Sequence, residues 1–176
     1  MKGLTEILEA ATARIESGYF HVALDGGDPV YRERVYAYEL YHQMRSRWPA
    51  DTPYFLNGEL DKSAHPVLTG LGVAGRKPDL LVHQPGYMNA NHAAIELKHA
   101  KTGIAGIKKD LRTLALFRTN VRYERAIYLV YGHYADDRLL GRIRSIYRQL
   151  QTQSPIEIWF HRRPHEPARQ VELLQA

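Results

Sequence analysis

The chain has no cysteine, which excludes a disulfide framework, a thiolate metal site and a thiol nucleophile together. It has no long apolar run either. Nothing approaches the roughly 18 residues needed to span a bilayer, and Met1 to Ile15 mixes Glu and Arg with aliphatics, unlike a secretory signal. No membrane association and a cytoplasmic setting are therefore expected. There is no Gly-x-Ser-x-Gly elbow, which argues against a serine hydrolase. There is no His-Glu-x-x-His pair among the nine histidines, most of which are expected at the surface. Acidic residues are outnumbered: 24 Lys and Arg against 19 Asp and Glu leave a net charge of +5. That excess suits a polyanionic partner such as nucleic acid without requiring one.

At 176 residues, 44% hydrophobic and 24% charged, the chain has the make-up of one globular domain spanning 1–176, with a two- or three-layer core. Leu4, Ile7, Leu8, Ala11 and Ile15 follow helical spacing up to Gly18. Asp28 and Pro29 then read as the cap and first residue of a second helix that runs to about Trp48. Strands are expected at 54–60, 79–83 and 93–98, forming an antiparallel meander, with a Gly-rich loop over 69–77. A helix over 104–119 would bury Ile104, Ile107, Leu111 and Leu114. A central strand at 125–131, a helix at 136–152 and a strand at 156–160 follow, and 161–176 reads as a basic tail.

Two strands carry charge where burial gives it no structural use. In Pro78-Asp79-Leu80-Leu81-Val82-His83, Asp79, Leu81 and His83 share a face; in Ala94-Ile95-Glu96-Leu97-Lys98, Glu96 and Lys98 project together. Two carboxylates and an ammonium are thus expected to converge at one sheet edge. Left unpaired there, each would cost several kcal/mol. Glu59 on the first strand, and less so Asp61, could line the same pocket. From the preceding helix Glu39 is preferred over Glu33, being nearer the expected inward stripe. His83 and His99 flank the site.

Pro78-Asp79, a gap, then Glu96-Leu97-Lys98 resembles the motif of the PD-(D/E)XK nuclease superfamily, whose restriction-endonuclease-like fold has an αβββαβ core. The expected order of elements over about 29–132 is similar to that core: a mixed central sheet flanked by helices, here with an extra N-terminal helix and a C-terminal helix and strand. The resemblance implies an endonuclease that cuts DNA, rather than RNA, with Mg²⁺ or Mn²⁺, in phage defence, restriction or repair. It implies Asp79, Glu96 and Lys98 as catalytic residues. Asp79, Glu96 and the main-chain carbonyl of Leu97 would hold the metal, with Glu59 and Glu39 as further ligands. Arg76, Lys77, Lys101, Lys108, Lys109 and Arg112 would meet the phosphate backbone. Such domains act as homodimers or within larger complexes. The alternatives are a non-catalytic binding module that keeps the fold, and an RNase on the same scaffold. The Gly70-Leu71-Gly72-Val73-Ala74-Gly75 stretch has the letters of a dinucleotide fingerprint, but a strand follows it instead of a helix, so that reading is set aside.

Overall fold

The computed structural model describes residues 1, 3–58, 71–73 and 75–175. The elements in order are α1 (Leu4–Thr12), α2 (Ser17–Phe20), β1 (Val22–Leu24), β2 (Gly27–Val30), α3 (Glu33–Arg45), β3 (Phe55–Gly58), β4 (Leu80–His83), β5 (Asn91–His99), α4 (Ile104–Thr119), β6 (Arg125–Tyr131), α5 (Asp137–Gln149), β7 (Ile156–His161) and β8 (Arg169–Leu174). The fold is α/β, with a six-stranded sheet in the order β3-β4-β5-β6-β7-β8 and a separate two-stranded hairpin, β1-β2.

The sheet is mixed, as expected. β3, β4 and β5 pair antiparallel as a meander, β5, β6 and β7 run parallel, and β8 returns antiparallel to β7. Parallel neighbours need crossovers long enough for a helix, and α4 and α5 supply them. Both helices pack on one face, where Ile107, Leu111 and Leu114 of α4 and Ile143 and Ile146 of α5 meet Ala94, Tyr128 and Ile158 of the sheet. The other face is covered by α1 and α3, through Leu8, Ala11, Tyr36 and Leu40 against Ile95, Leu97, Ile127 and Leu129. β6, covered on both sides, is buried from Ala126 to Tyr131, the near-continuous apolar run of a central strand. The start of α5 is capped by the Asp136 side chain, which accepts from the Leu139 N–H at 2.9 Å.

Several boundaries differ from expectation for identifiable reasons. Pro29 does not open a helix; it lies in β2, in the hairpin outside the main sheet, where a missing N–H costs no ladder bond. α3 therefore starts at Glu33, with Arg32 at its cap making no side-chain cap bond. The expected first helix ends early, at Thr12, and Gly18, read as its stop, lies inside the short α2. The expected basic tail contains β8, whose Leu174 is 5% exposed against the core while Arg169 and Gln170 face water. That end of the chain is also fastened to the first helix, where the Ala168 N–H donates to Thr12 Oγ1 at 2.8 Å. On α4, Ile104 is 60% exposed rather than part of the buried stripe. Among the described residues, no helix is long and apolar enough to cross a membrane.

Candidate active site

β4 pairs with β5 only as far as Leu80 opposite Ile95, so Glu96 to His99 extend beyond the meander edge while still pairing with β6. Asp79 sits one residue before β4, beside that free edge. Its Oδ2 accepts the Leu97 N–H at 2.6 Å. The N–H and C=O of one strand residue lie on the same edge, so the Leu97 carbonyl also points toward the Asp79 side. Glu96 is 5% exposed, and its carboxyl is in hydrogen-bonding contact with Asp79.

Burial pushes Glu96 well above the ordinary glutamate range, and the charges of Asp79 and Asp110 push it further. Burial also raises Asp79, with the Leu97 N–H and the Lys98 ammonium partly opposing. Burial and the neighbouring charges thus favour the protonated form of Glu96, beside the Asp79 carboxylate. Two carboxyls in contact need either a shared proton or a cation.

Lys98 projects from the same strand face as Glu96. Its Nζ donates to Glu33 Oε2 at 2.9 Å and lies 3.3 Å from Asp110 Oδ2. Burial alone would lower its pKa, but Asp110 and then Glu33 outweigh that and raise it above the usual lysine value. It is a fixed ammonium. Asp110, on α4, is 1% exposed, and burial lifts it to about 6 against the pull of Lys98. Tyr128, opposite Glu96 in the parallel register, is fully buried, and its hydroxyl lacks a hydrogen-bond partner among the described residues. Beside Asp79 opens a cavity of about 340 Å³, lined by Arg34, Ala37, Tyr38, Tyr41, Gly58 and Leu80.

Asp79, Glu96 and Lys98 therefore meet at one sheet edge. Glu39 does not join them. It sits six residues beyond Glu33 on α3, which turns it about 120° away and moves it about 9 Å along the axis, where it accepts from Gln43 Nε2 at 2.7 Å. The helix residue at the site is Glu33. Glu59 and Asp61 lie outside the described residues. His83, at the far end of β4 and roughly 13 Å along the strand from Asp79, bonds Asn57 Oδ1 at 2.9 Å instead of flanking the site. His99 does flank it, with Nε2 3.5 Å from Glu33 Oε1.

Of the expected backbone contacts, Lys101, Lys109 and Arg112 are exposed and Lys108 is half-buried. Arg76 and Arg112 line a common cavity of about 300 Å³. Lys77 is exposed and has a partner of its own. Two histidines expected at the surface are buried, His92 at 6% and His161 at 0% exposure.

Sequence reasoning missed Asp110 and Tyr128, and weighed Glu33 but passed it over for Glu39. Asp110 had left a signal, since it occupies the i+3 place between Ile107 and Leu114 on an apolar stripe. Among the described residues, no three His, Cys, Asp or Glu side chains stand close enough to complete a metal cage. The donors that do converge, two carboxyls and a main-chain carbonyl, fit a hard cation that keeps most of its own waters. Comparison with known protein families, characterised proteins and solved structures finds no match to this chain.

Proposed function

We propose that the chain is a metal-dependent nuclease that hydrolyses phosphodiester bonds, with DNA as the preferred substrate. The reading rests above all on the contact between the Asp79 and Glu96 carboxyls at an open strand edge, with the Lys98 ammonium held on the same face. Asp79, Glu96 and the Leu97 carbonyl would hold Mg²⁺ or Mn²⁺. A bound Mg²⁺ supplies a more acidic water and counter-charge for the developing anion. Binding requires Glu96 to give up its proton, so affinity rises with pH.

Lys98 acts as a positioned cation. Gripped by Glu33 and Asp110, it orients the attacking water and stabilises charge on the phosphate; its raised pKa argues against a free-base role. Glu33 keeps the ammonium over the strand edge, and Asp110 does so from the opposite layer. A non-catalytic binding module has no need of this juxtaposition, since buried like charges cost stability.

The test is incubation of the purified protein with plasmid, single-stranded DNA and RNA, with and without Mn²⁺. Cleavage of DNA that needs Mn²⁺ and disappears in Glu96→Ala and in Lys98→Ala, with both variants folded by circular dichroism, is the expected result. Persistent cleavage in both variants would refute the assignment, and preferential RNA cleavage would move the chain to the RNase alternative.

A further inference from the structure

Beside the acidic site, at the carboxyl ends of β5 and β6, stands a second group of side chains that the proposed chemistry does not use. Tyr31 is its centre. Its ring stacks on His99 with centroids 5.8 Å apart and planes 4° from parallel, and the ring of His21 lies 4.0 Å away. His21 and His133 are 5.1 Å apart. The Lys101 ammonium lies 5.9 Å from the Tyr31 ring and 5.1 Å from that of Tyr134.

This arrangement is held by the backbone. The His133 N–H donates to the Tyr31 hydroxyl at 3.1 Å. Gly132 turns the chain there with φ 125°, and a Cβ at that position would come within 2.9 Å of the Tyr31 hydroxyl and ring. Only glycine lets the β6 end close over Tyr31 and bring His133 against His21.

The electrostatics are one-sided. Among the described residues, no carboxylate pairs with Lys101, His21 or His133. The nearby Glu33 is occupied by Lys98 and His99. Lys101, His133 and Tyr134 are exposed, so the group opens to solvent. Ring donors and an ammonium gathered without a counter-ion suit a phosphate, whose oxygens accept charge-assisted hydrogen bonds from all three.

We propose that Lys101, His21 and His133 form a subsite for a phosphate of the nucleic-acid strand adjoining the phosphate to be cut. The presence of an anion site follows from these residues; its assignment to the substrate strand rests on the nuclease reading. Contact with the acidic site runs through the Tyr31–His99 stack and Glu33. A strand phosphate bound at Lys101 therefore sits next to the phosphate that Lys98 would meet.

The experiment follows the imidazole signals of the full chain in long-range ¹H–¹⁵N spectra, in EDTA so that no cleavage occurs. One titration uses inorganic phosphate, and a second uses a single-stranded DNA oligonucleotide with unphosphorylated ends. Saturable shifts of His21 and His133 in both titrations, with exposed His165 unmoved, are expected. Lys101→Gln, an exposed position whose replacement leaves the core intact, should weaken both by about tenfold. Rings that neither ligand moves overturn the subsite. A response to inorganic phosphate alone overturns its assignment to the strand. Cleavage in Mn²⁺ is scored separately. Rings that respond to the oligonucleotide in a protein that never cuts DNA would leave this subsite standing and remove the nuclease reading, and the converse result would do the reverse.

Discussion

Glu96 on β5 is 5% exposed and His161 on β7 is fully buried, and in each case burial favours the neutral form. Their surroundings treat that burial in opposite ways. On the α1 and α3 face of the sheet, His161 meets uncharged partners: its Nδ1 shares a 2.8 Å hydrogen bond with the Tyr36 hydroxyl, and Tyr36 stacks on Tyr131 with centroids 3.8 Å apart. On the α4 face, Glu96 meets Asp79, with Asp110 and Lys98 close behind. The first region has settled burial by giving up charge. The second keeps a buried carboxyl whose pKa the charges of Asp79 and Asp110 raise further, an arrangement that costs stability and changes most when a cation arrives. The contrast separates a polar cluster built on neutral groups from one built on charged ones.

A double exchange should break this comparison if it is wrong. Glu96→Gln is expected to lower metal-dependent cleavage by roughly 10³-fold or more with no fall in melting temperature, because the neutral amide keeps the shape and can still donate to Asp79. Tyr36→Ala should instead cost about 3–5 kcal/mol in denaturant unfolding, the usual loss for a buried aromatic, with turnover per folded molecule little changed. A Glu96→Gln protein that melts far lower, or a Tyr36→Ala protein that stays folded and loses cleavage, would erase the distinction.

How much of this was readable beforehand depends on how local the signal is. The meander, the crossover helix at 104–119 and the central strand were legible because hydrophobic period and turn residues are local. Asp79, Glu96 and Lys98 were legible from alternation along two strands. Glu33 was not: an inward stripe drawn through Val35 and His42 made Glu39 look inward, whereas α3 buries Tyr36, Leu40 and Met44, a stripe that Glu33 leads by one turn. The helix start read at Pro29 was a separate misplacement. The β1-β2 hairpin takes that proline by leaving it at an edge, a tertiary outcome that no short window reveals. β8 was hidden because its burial is one-sided and its Arg169, Gln170 and Glu172 read as a solvated tail. The Tyr31, His21 and His133 group draws on segments about a hundred residues apart, and only the fold joins them.

Metal binding sharpens the same contrast in thermodynamic terms. Mn²⁺ at a hundredfold excess over its dissociation constant should stabilise the wild type by about 2.7 kcal/mol, read as a rise in melting temperature that grows with pH. Asp79→Ala should abolish that rise, and Tyr36→Phe should leave it intact. Equal metal stabilisation of wild type and Asp79→Ala would show that the ion binds elsewhere.

The neutral region has its own pH signature. Burial pulls His161 down to about 4 from an ordinary 6.5, with backbone groups at Arg163 and Glu166 only partly opposing. The unfolded chain therefore binds a proton that the folded chain refuses. The resulting stability is fully present above 6.5 and is lost as pH falls through the window toward 4. His161→Gln should flatten the acid-side decline of wild-type stability by on the order of 2 kcal/mol. A decline unchanged in that variant would mean that the folded protein tolerates a charged His161.

The smallest expected effect is the most informative about Lys98. Glu33 and Asp110 grip its ammonium from opposite layers, but Asp110 is buried at 1% exposure while Glu33 is partly open. Asp110→Asn keeps the volume and removes one charge, so Lys98 retains the Glu33 hydrogen bond and loses its second anchor. Positioning losses of this kind amount to about 10- to 100-fold, and the lower end is expected because one anchor survives. The loss should fall on kcat with KM unchanged, and Asp110→Glu should restore part of it, since a carboxylate one methylene longer can still reach Nζ. A merely structural Asp110 would behave differently: both variants would lower stability together and leave kcat per folded molecule alone. Reduced kcat in Asp110→Asn at undiminished stability would place Asp110 with the charged region, as a residue acting through Lys98.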